Sequence, residues 1–323
     1  MSAFVIRAAG RTEQGLRDSN EDRFAIDPDR PILVVADGMG GQEVGERAAE
    51  LAVEMLPRLI AAGLDGPGQP EQAVDQALRQ ANGAVLALSQ QLGMGRRCGA
   101  AVIVAIRWAG RVCVGWLGDC RGYHFSGHWS HRLTEDHDVR TALVRTGTFT
   151  REQAERERIR NVLYRHLGCE WSEGVGDETC RSFPPQPGDR LLLATDGVWR
   201  FLQEGDLPEA RLRYPEPQAC ADHLVDLALS RGSRDNATCI VAAFDPVRID
   251  RDWLTWNGGT VARLARAARE DRDFGRLPVL ADALEEAGCT ERAVLDHCRG
   301  PGPHGPGCWA LDLFLEAAAS SRR

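Results

Sequence analysis

Ile32-Leu33-Val34-Val35-Ala36-Asp37-Gly38-Met39-Gly40-Gly41 is the stretch on which the fold turns. Five consecutive apolar residues leave no polar alternation for a solvated side, so the run fits a strand buried on both faces of its sheet. It stops at an acidic glycine turn. Beyond the glycines, Val44 to Ile60 carries a helical pattern rich in Ala and Leu, and Glu71 to Leu92 carries a second. Two amphipathic helices are therefore expected over one side of the sheet. Upstream, Ala3–Ala9 and Arg23–Ile26 read as short strands.

Downstream, Ala100–Ile106, Arg111–Trp116 and Gly122–Phe125 are β-type runs separated by turn residues such as Ala109-Gly110, which suits antiparallel hairpins. Asp138–Arg145 and Thr150–Arg158 are polar helical stretches around Gly147. Thr150 followed by Gln153 predicts a capping box. Arg190–Thr195 is another buried-type strand that stops at an acidic glycine turn, Asp196-Gly197; Pro217–Arg231 is helical and Thr238–Phe244 is a last strand. Successive strands without intervening helices argue against a doubly wound sheet. The pattern predicts an α+β fold, a four-layer α/β/β/α sandwich with two central, mostly antiparallel sheets, over residues 1–245. Residues 246–323 have a different texture: helices over Trp253–Glu270 and Leu277–Glu286, a Pro/Gly run from Pro301 to Gly307, and a short helix from Trp309. They predict a small helical module.

Composition narrows the function. A net charge of −8 with no clustered basic stripe makes counterion release from nucleic acid a poor driving force. All 39 basic residues are arginine, so any one arginine carries little signal by itself. The ten cysteines show no disulfide framework and read as reduced thiols. Nowhere do about 18 apolar residues run together, so no membrane span is expected. A cytoplasmic enzyme is the expectation.

Five aspartates stand at the edges of strand-like runs: Asp22, Asp37, Asp119, Asp196 and Asp235. Any one alone is most simply a turn residue, since Asp-Gly is a common turn dipeptide. As a set they suit a different chemistry. Hard divalent cations take oxygen ligands, and a buried aspartate without a compensating cation costs several kcal/mol of desolvation. Glycines after the acids let backbone carbonyls come close to an ion.

In order, Arg17-x-x-Asn20-Glu21-Asp22, Val35-Ala36-Asp37-Gly38-Met39-Gly40-Gly41, Gly118-Asp119-Cys120-Arg121, Ala194-Thr195-Asp196-Gly197-Val198-Trp199 and Asp235-Asn236-Ala237-Thr238 resemble the motifs of the type 2C, metal-dependent protein serine/threonine phosphatases, bacterial type. The resemblance covers about residues 3–245. It implies Mn2+ or Mg2+, two per active site, with Asp37 bridging them, the Gly38 carbonyl on one, and Asp196 and Asp235 completing the other. Glu21 and Asp22 would hold water around the metals, Arg17 would fork onto the phosphate, and Asp119 would touch a third, weaker ion. Activated water would then attack phosphorus in line without a phosphoenzyme. The implied substrate is a phosphorylated protein, and the implied counterpart a serine/threonine kinase.

Several positions depart from the pattern. Arg200 stands where an acid is common, Ala100-Ala101 replaces a threonine pair, and Met39 leaves the proton donor to the leaving group unassigned. Cys120 is no candidate for a cysteine-dependent phosphatase, because Ser126 stands where the Cys-x5-Arg loop needs arginine. The segment from Asp138 to Arg160 corresponds to a flap beside the site, and its arginines would suit acidic phosphopeptides. In the tail, Cys289, His297, Cys298, His304 and Cys308 match no regular zinc-finger spacing. The tail resembles a small helical module appended to varied bacterial proteins. Two other readings of the main domain stay open here: a pseudophosphatase that binds phosphoproteins without turnover, and a small-molecule phosphomonoesterase.

Overall fold

The five-residue apolar run does lie between two layers: Ile32, Val34 and Ala36 pack against a pair of helices, while Leu33 and Val35 pack toward a second sheet. A computed structural model of the chain describes residues 4–27, 30–64, 69–93, 98–108, 110–156, 162–171, 178–247, 249–300, 304–305 and 308–320. Ala3, Ala109, the end of the expected flap helix at Arg158, and 301–303 and 306–307 of the Pro/Gly run lie outside the described residues.

The chain begins with β1 (Phe4–Glu13), β2 (Asp22–Ile26) and β3 (Ile32–Met39), then α1 (Gln42–Leu64) and α2 (Pro70–Gln91). Next come β4 (Gly99–Trp108), β5 (Arg111–Leu117), β6 (Arg121–Phe125) and β7 (Ser130–Arg132), followed by α3 (Val139–Arg145) and α4 (Arg151–Arg156). The main domain closes with β8 (Cys180–Phe183), β9 (Arg190–Ala194), α5 (Asp196–Trp199), α6 (Asp206–Arg213), α7 (Pro217–Ser230) and β10 (Ala237–Pro246). The tail adds α8 (Arg251–Glu270), α9 (Leu277–Glu286), α10 (Arg292–Arg299) and α11 (Trp309–Ser320).

The strands form two five-stranded sheets, in the orders β1-β10-β9-β6-β7 and β2-β3-β4-β5-β8, and the paired strands are antiparallel. Alternation along each strand separates three cores. One lies under α1 and α2, one between the sheets around Ile103, Trp116, Leu193 and Ile240, and one under α5, α6 and α7 around Leu192, Val241 and Leu224. The expected α/β/β/α sandwich is the one observed.

Among the described residues, five strands and α-helices were not expected from sequence. Two are the short strands β7 and β8, and two are α5 and α6, brief helices beside the second buried strand. The fifth is α10. The expected Thr150 capping box is present: Gln153 N–H donates to Thr150 Oγ1 at 3.2 Å, and the Thr150 N–H to Gln153 Oε1 at 2.8 Å. The expected tail helix from Trp253 is broken at Trp256-Asn257-Gly258-Gly259, where Asn257, Gly258 and Gly259 take φ of 46°, 67° and 83°. Asn and Gly tolerate the left-handed region, so the break falls where the chain permits it.

The tail helices surround their own apolar core, which also takes in Val5 of β1 and Val247. One buried polar contact fastens this core to the sandwich. Asp312 on α11 sits 3.5 Å from Arg107, at the far end of β4, and also pairs with Arg269 of α8. The Arg107 and Asp312 side chains are 1% and 8% exposed, so neither ion is neutralised by solvent. Removing one partner of such a pair strands the other, at about 3–5 kcal/mol. Asp312→Ala should lower unfolding stability by that order, read from the midpoint of urea denaturation; a shift within the scatter of surface substitutions would show that the contact does not fasten the module.

Candidate active site

Antiparallel pairing places Asp22 directly opposite Asp37, so β2 and β3 alone bring two carboxylates side by side. Gly118, at φ 94°, turns the chain after β5 and delivers Asp119. From the other sheet, the chain leaves β9 through Thr195 into Asp196, and Asp235 stands just before β10. The site thus forms where strand ends of both sheets converge. Asp37 feels the charges of Asp22, Asp196, Asp119 and Asp235 together.

The loop between β1 and β2 carries Arg17 and Glu21 and is hooked onto the start of β10. Leu16 N–H donates to the Arg234 carbonyl at 3.1 Å. Asn236 donates to the Gln14 and Ser19 carbonyls and accepts from the Glu21 N–H, each at 2.9 Å. The Asn236 side chain therefore ties the turn at Asp235 to the Gln14, Ser19 and Glu21 backbone. Arg17 donates to Asp235 at 2.6 Å while most of its side chain stays exposed. Gly38 N–H donates to the Glu21 carbonyl at 3.2 Å, and a Cβ at Gly38 would overlap the Gly45 carbonyl at the start of α1. Only glycine fits there.

Asp22 is buried, and its carboxylate accepts the Thr195 hydroxyl at 2.8 Å. Burial pushes its carboxyl up to about 7, with Asp196 and Asp235 adding to the rise and the Thr238 and Thr195 hydroxyls opposing it. Burial, then Asp22, Asp196, Asp119 and Asp235, hold Asp37 well above the usual carboxylate range. Asp119 is pushed up to about 7 by burial, Asp196 and Asp136, against the pull of Arg200. Asp196 is raised by burial despite Arg200 and Arg17. Carboxyls raised in this way by burial and by one another suit hard divalent cations, which supply the charge the protein does not.

Arg200 reaches into this cluster, 2.9 Å from Asp196 and 3.6 Å from Asp119. Arg121 does not neutralise Asp119; it pairs with Asp136 at 2.7 Å and lies over the Trp199 ring, whose N–H donates to the Asp119 carbonyl at 3.0 Å. Sequence reading gave no role to Thr195 and Thr238, the hydroxyls beside Asp22. The signal available was the threonine before Asp196 in a quoted motif. His137 is stacked on Trp116 and His166 bonds to the Leu167 carbonyl, so both are packing residues. Cys120 is buried, and burial and the neighbouring carboxylates push its thiol up, which rules against a thiolate nucleophile.

Two antiparallel sheets flanked by helices thus carry a carboxylate cluster where their strand ends converge. Residues 9–230 match the family described as Protein phosphatase 2C. The chain is 30% identical over 253 residues to the serine/threonine phosphatase stp of Listeria monocytogenes, covering 76% of this chain and 99% of that protein. It is 33% identical over 282 residues to the serine/threonine protein phosphatase PstP of Mycobacterium tuberculosis, covering 85% of this chain and half of that one. Among solved structures, the PstP catalytic domain in complex with two manganese ions superposes with a TM-score of 0.63 at 30% identity, covering 75% of this chain and all of that one. PppA of Pseudomonas aeruginosa gives the same score at 27% identity, covering 76% of this chain and all of that one. The chain belongs to the protein phosphatase 2C family and is a serine/threonine phosphatase.

The raised carboxyls set a pH dependence for the metal-free protein. Folded Asp22 and Asp119 hold their protons to about pH 7, whereas the unfolded chain releases them near 3.8. The native state then binds more protons, so stability is fully present below pH 3.8 and falls as pH rises through about 7. Metal-stripped protein should unfold at lower urea at pH 8 than at pH 6, and Mn2+ addition at pH 6 should release protons, read as acidification of a weakly buffered solution. Stability that rises across this interval would contradict the arrangement.

Proposed function

We propose that the chain hydrolyses phosphoserine and phosphothreonine esters in proteins, in the cytoplasm and in opposition to a serine/threonine kinase. The convergence of Asp22, Asp37, Asp119, Asp196 and Asp235 beside Arg17 at one sheet edge carries this reading. Asp37, the Gly38 carbonyl, Asp196 and Asp235 would hold two Mn2+ or Mg2+ ions. When bound, these ions supply Lewis-acid activation of water and neutralise phosphoryl charge.

The chain's own groups do the rest. Arg17 sits at the mouth on an exposed loop, where its guanidinium can take two phosphate oxygens and orient the ester. Glu21 and Asp22 accept hydrogens from water, and the Thr195 hydroxyl fixes the Asp22 carboxylate that does so. Asp119 would serve a third ion, but that ion competes with the tethered Arg200 guanidinium. We assign it the weakest place.

A cleft of about 590 Å3 beside α3 and α4 is lined by Arg121, Arg132, Arg140, Arg145 and Arg151, with Glu135 and Asp136 as its acids. Asp136 is already shared between Arg121 and Arg132. The cleft is thus net basic and adjoins the cluster through Arg121 and Trp199, which favours peptides with acidic residues beside the phosphate.

The deciding assay uses metal-stripped protein, a phosphothreonine peptide and added Mn2+ or Mg2+. Phosphate release that depends on the ion and is lost in Asp37→Asn, with the fold retained, is the expected result; no release from folded wild type with either ion excludes the function. The cleft is tested by Arg140→Glu with Arg145→Glu. We expect KM for an acidic phosphopeptide to rise about tenfold, roughly the effect of losing one exposed ion pair of 1 kcal/mol or slightly more, while a small aryl phosphate is turned over unchanged. Equal losses on both substrates would remove the cleft from substrate recognition.

A further inference from the structure

The tail holds a second cluster of metal-type side chains, chemically unlike the first. His297 lies in the last turn of α10, His304 in the connection that follows, and Cys308 immediately before α11. One donor atom from each falls within 4.8 Å of the others, the one such grouping among the described residues. His297 Nε2 and Cys308 Sγ are 3.2 Å apart. In a tetrahedral zinc site, Zn–N near 2.0 Å and Zn–S near 2.3 Å put N and S roughly 3.5 Å apart, so this pair is already near bonding separation.

His304 supplies an independent sign. Its Nε2 is 3.2 Å from the Gly300 carbonyl, and a carbonyl only accepts, so Nε2 carries the proton and Nδ1 the lone pair. That Nδ1 is buried and has no hydrogen-bond partner. An unsatisfied buried acceptor costs about 1–3 kcal/mol. A metal-ligating histidine typically donates its other ring N–H to a carbonyl in this way, which fixes the tautomer and aims the ligand nitrogen.

We propose that His297, His304 and Cys308 bind one Zn2+ ion. Two imidazoles and a thiolate are borderline-to-soft donors that favour Zn2+ over the Mn2+ and Mg2+ suited to the carboxylate cluster. Binding replaces the Cys308 S–H bond with an S–Zn bond and releases that proton to solvent. Three protein ligands leave one position open. His297 and His304, with Trp309, line a cleft of about 490 Å3 whose other wall is formed by Arg7 and Asp27 of the sandwich, so a water or a side chain entering that cleft can fill it. The ion would also brace the docking of the module. Cys308 begins the α11 turn, its carbonyl accepting from the Asp312 N–H at 3.1 Å, and Asp312 is the residue that meets Arg107.

The irregular spacing, His-x6-His-x3-Cys, matches no finger because the ligands come from a helix end, a connection and a helix start. Cys289 and Cys298 are buried in the same core and take no part in the grouping.

The test uses the full-length, metal-stripped protein in saturating Mg2+, which occupies the carboxylate cluster, titrated with Zn2+ by calorimetry and with Co2+ by absorption. We expect one Zn2+ per chain, a thiolate-to-cobalt charge-transfer band in the near ultraviolet, and a rise in melting temperature. Cys308→Ser should abolish the band. His304→Gln should weaken Zn2+ binding by more than the roughly 10–100-fold that changes around metal ligands cost, and Cys298→Ser should leave both signals intact. Should Cys308→Ser fail to fold, His304→Gln, at a partly exposed position, decides. Absence of the band in folded wild type, its persistence in Cys308→Ser, or unchanged Zn2+ affinity in His304→Gln would overturn the site.

Discussion

Mutual repulsion among carboxylates at one edge of the sandwich is the constraint around which the rest of the main domain is arranged. Two unit charges 4 Å apart at an effective dielectric near 20 repel by about 4 kcal/mol, and the charges of Asp22, Asp196, Asp119 and Asp235 all act to raise the Asp37 carboxyl. The fold answers this locally. Threonine hydroxyls flank Asp22, arginines approach from Arg17 and Arg200, and four of the carboxyls are driven toward their protonated forms. None of these removes the cost. A divalent cation would offset it, which is why crowded, buried carboxylates are a chemistry suited to such ions.

The geometry that enforces the crowding is a property of two sheets and not of any one segment. Within one sheet, register alone sets Asp22 against Asp37. The other sheet brings Asp196 and Asp235, and these meet the first pair only because the layer between the sheets, built from Ile103, Trp116, Leu193 and Ile240, stacks them in one orientation. Asn236 then closes the seam by binding the Gln14, Ser19 and Glu21 backbone of the mouth loop. The geometry of the cluster thus depends on apolar packing well away from the acids.

This division explains what the sequence made legible. The run Ile32–Ala36 announced a strand buried on both faces because double burial removes alternation, and Asp37, Asp119 and Asp196 announced themselves by the glycines beside them. Strands β7 and β8 escaped because they are three or four residues long with half-exposed positions and so carry no periodic signal. Helix α5 is one turn and is fixed by its place after β9 and not by its own propensity. Arg200 was visible as a departure, yet only the fold shows its guanidinium between Asp119 and Asp196. The break in α8 was written in Asn257-Gly258-Gly259 and was outweighed by the apolar periodicity on either side.

Strand β4 relates the module to the chemistry. Its first residues, Gly99 to Ala101, lie opposite Met39, Gly38 and Asp37, while near its other end Ile106 lies opposite Ile32 and Arg107 one residue beyond. Six residues at about 3.4 Å each separate Ala101 from Arg107, roughly 20 Å. The Asp312 contact therefore anchors the module at the end of β4 opposite the carboxylates and leaves the mouth around Arg17 open. The module's core also takes in Val5 of β1 and Val247 beyond β10, so any influence of the module on turnover has a route along β1 and β10 as well as along β4.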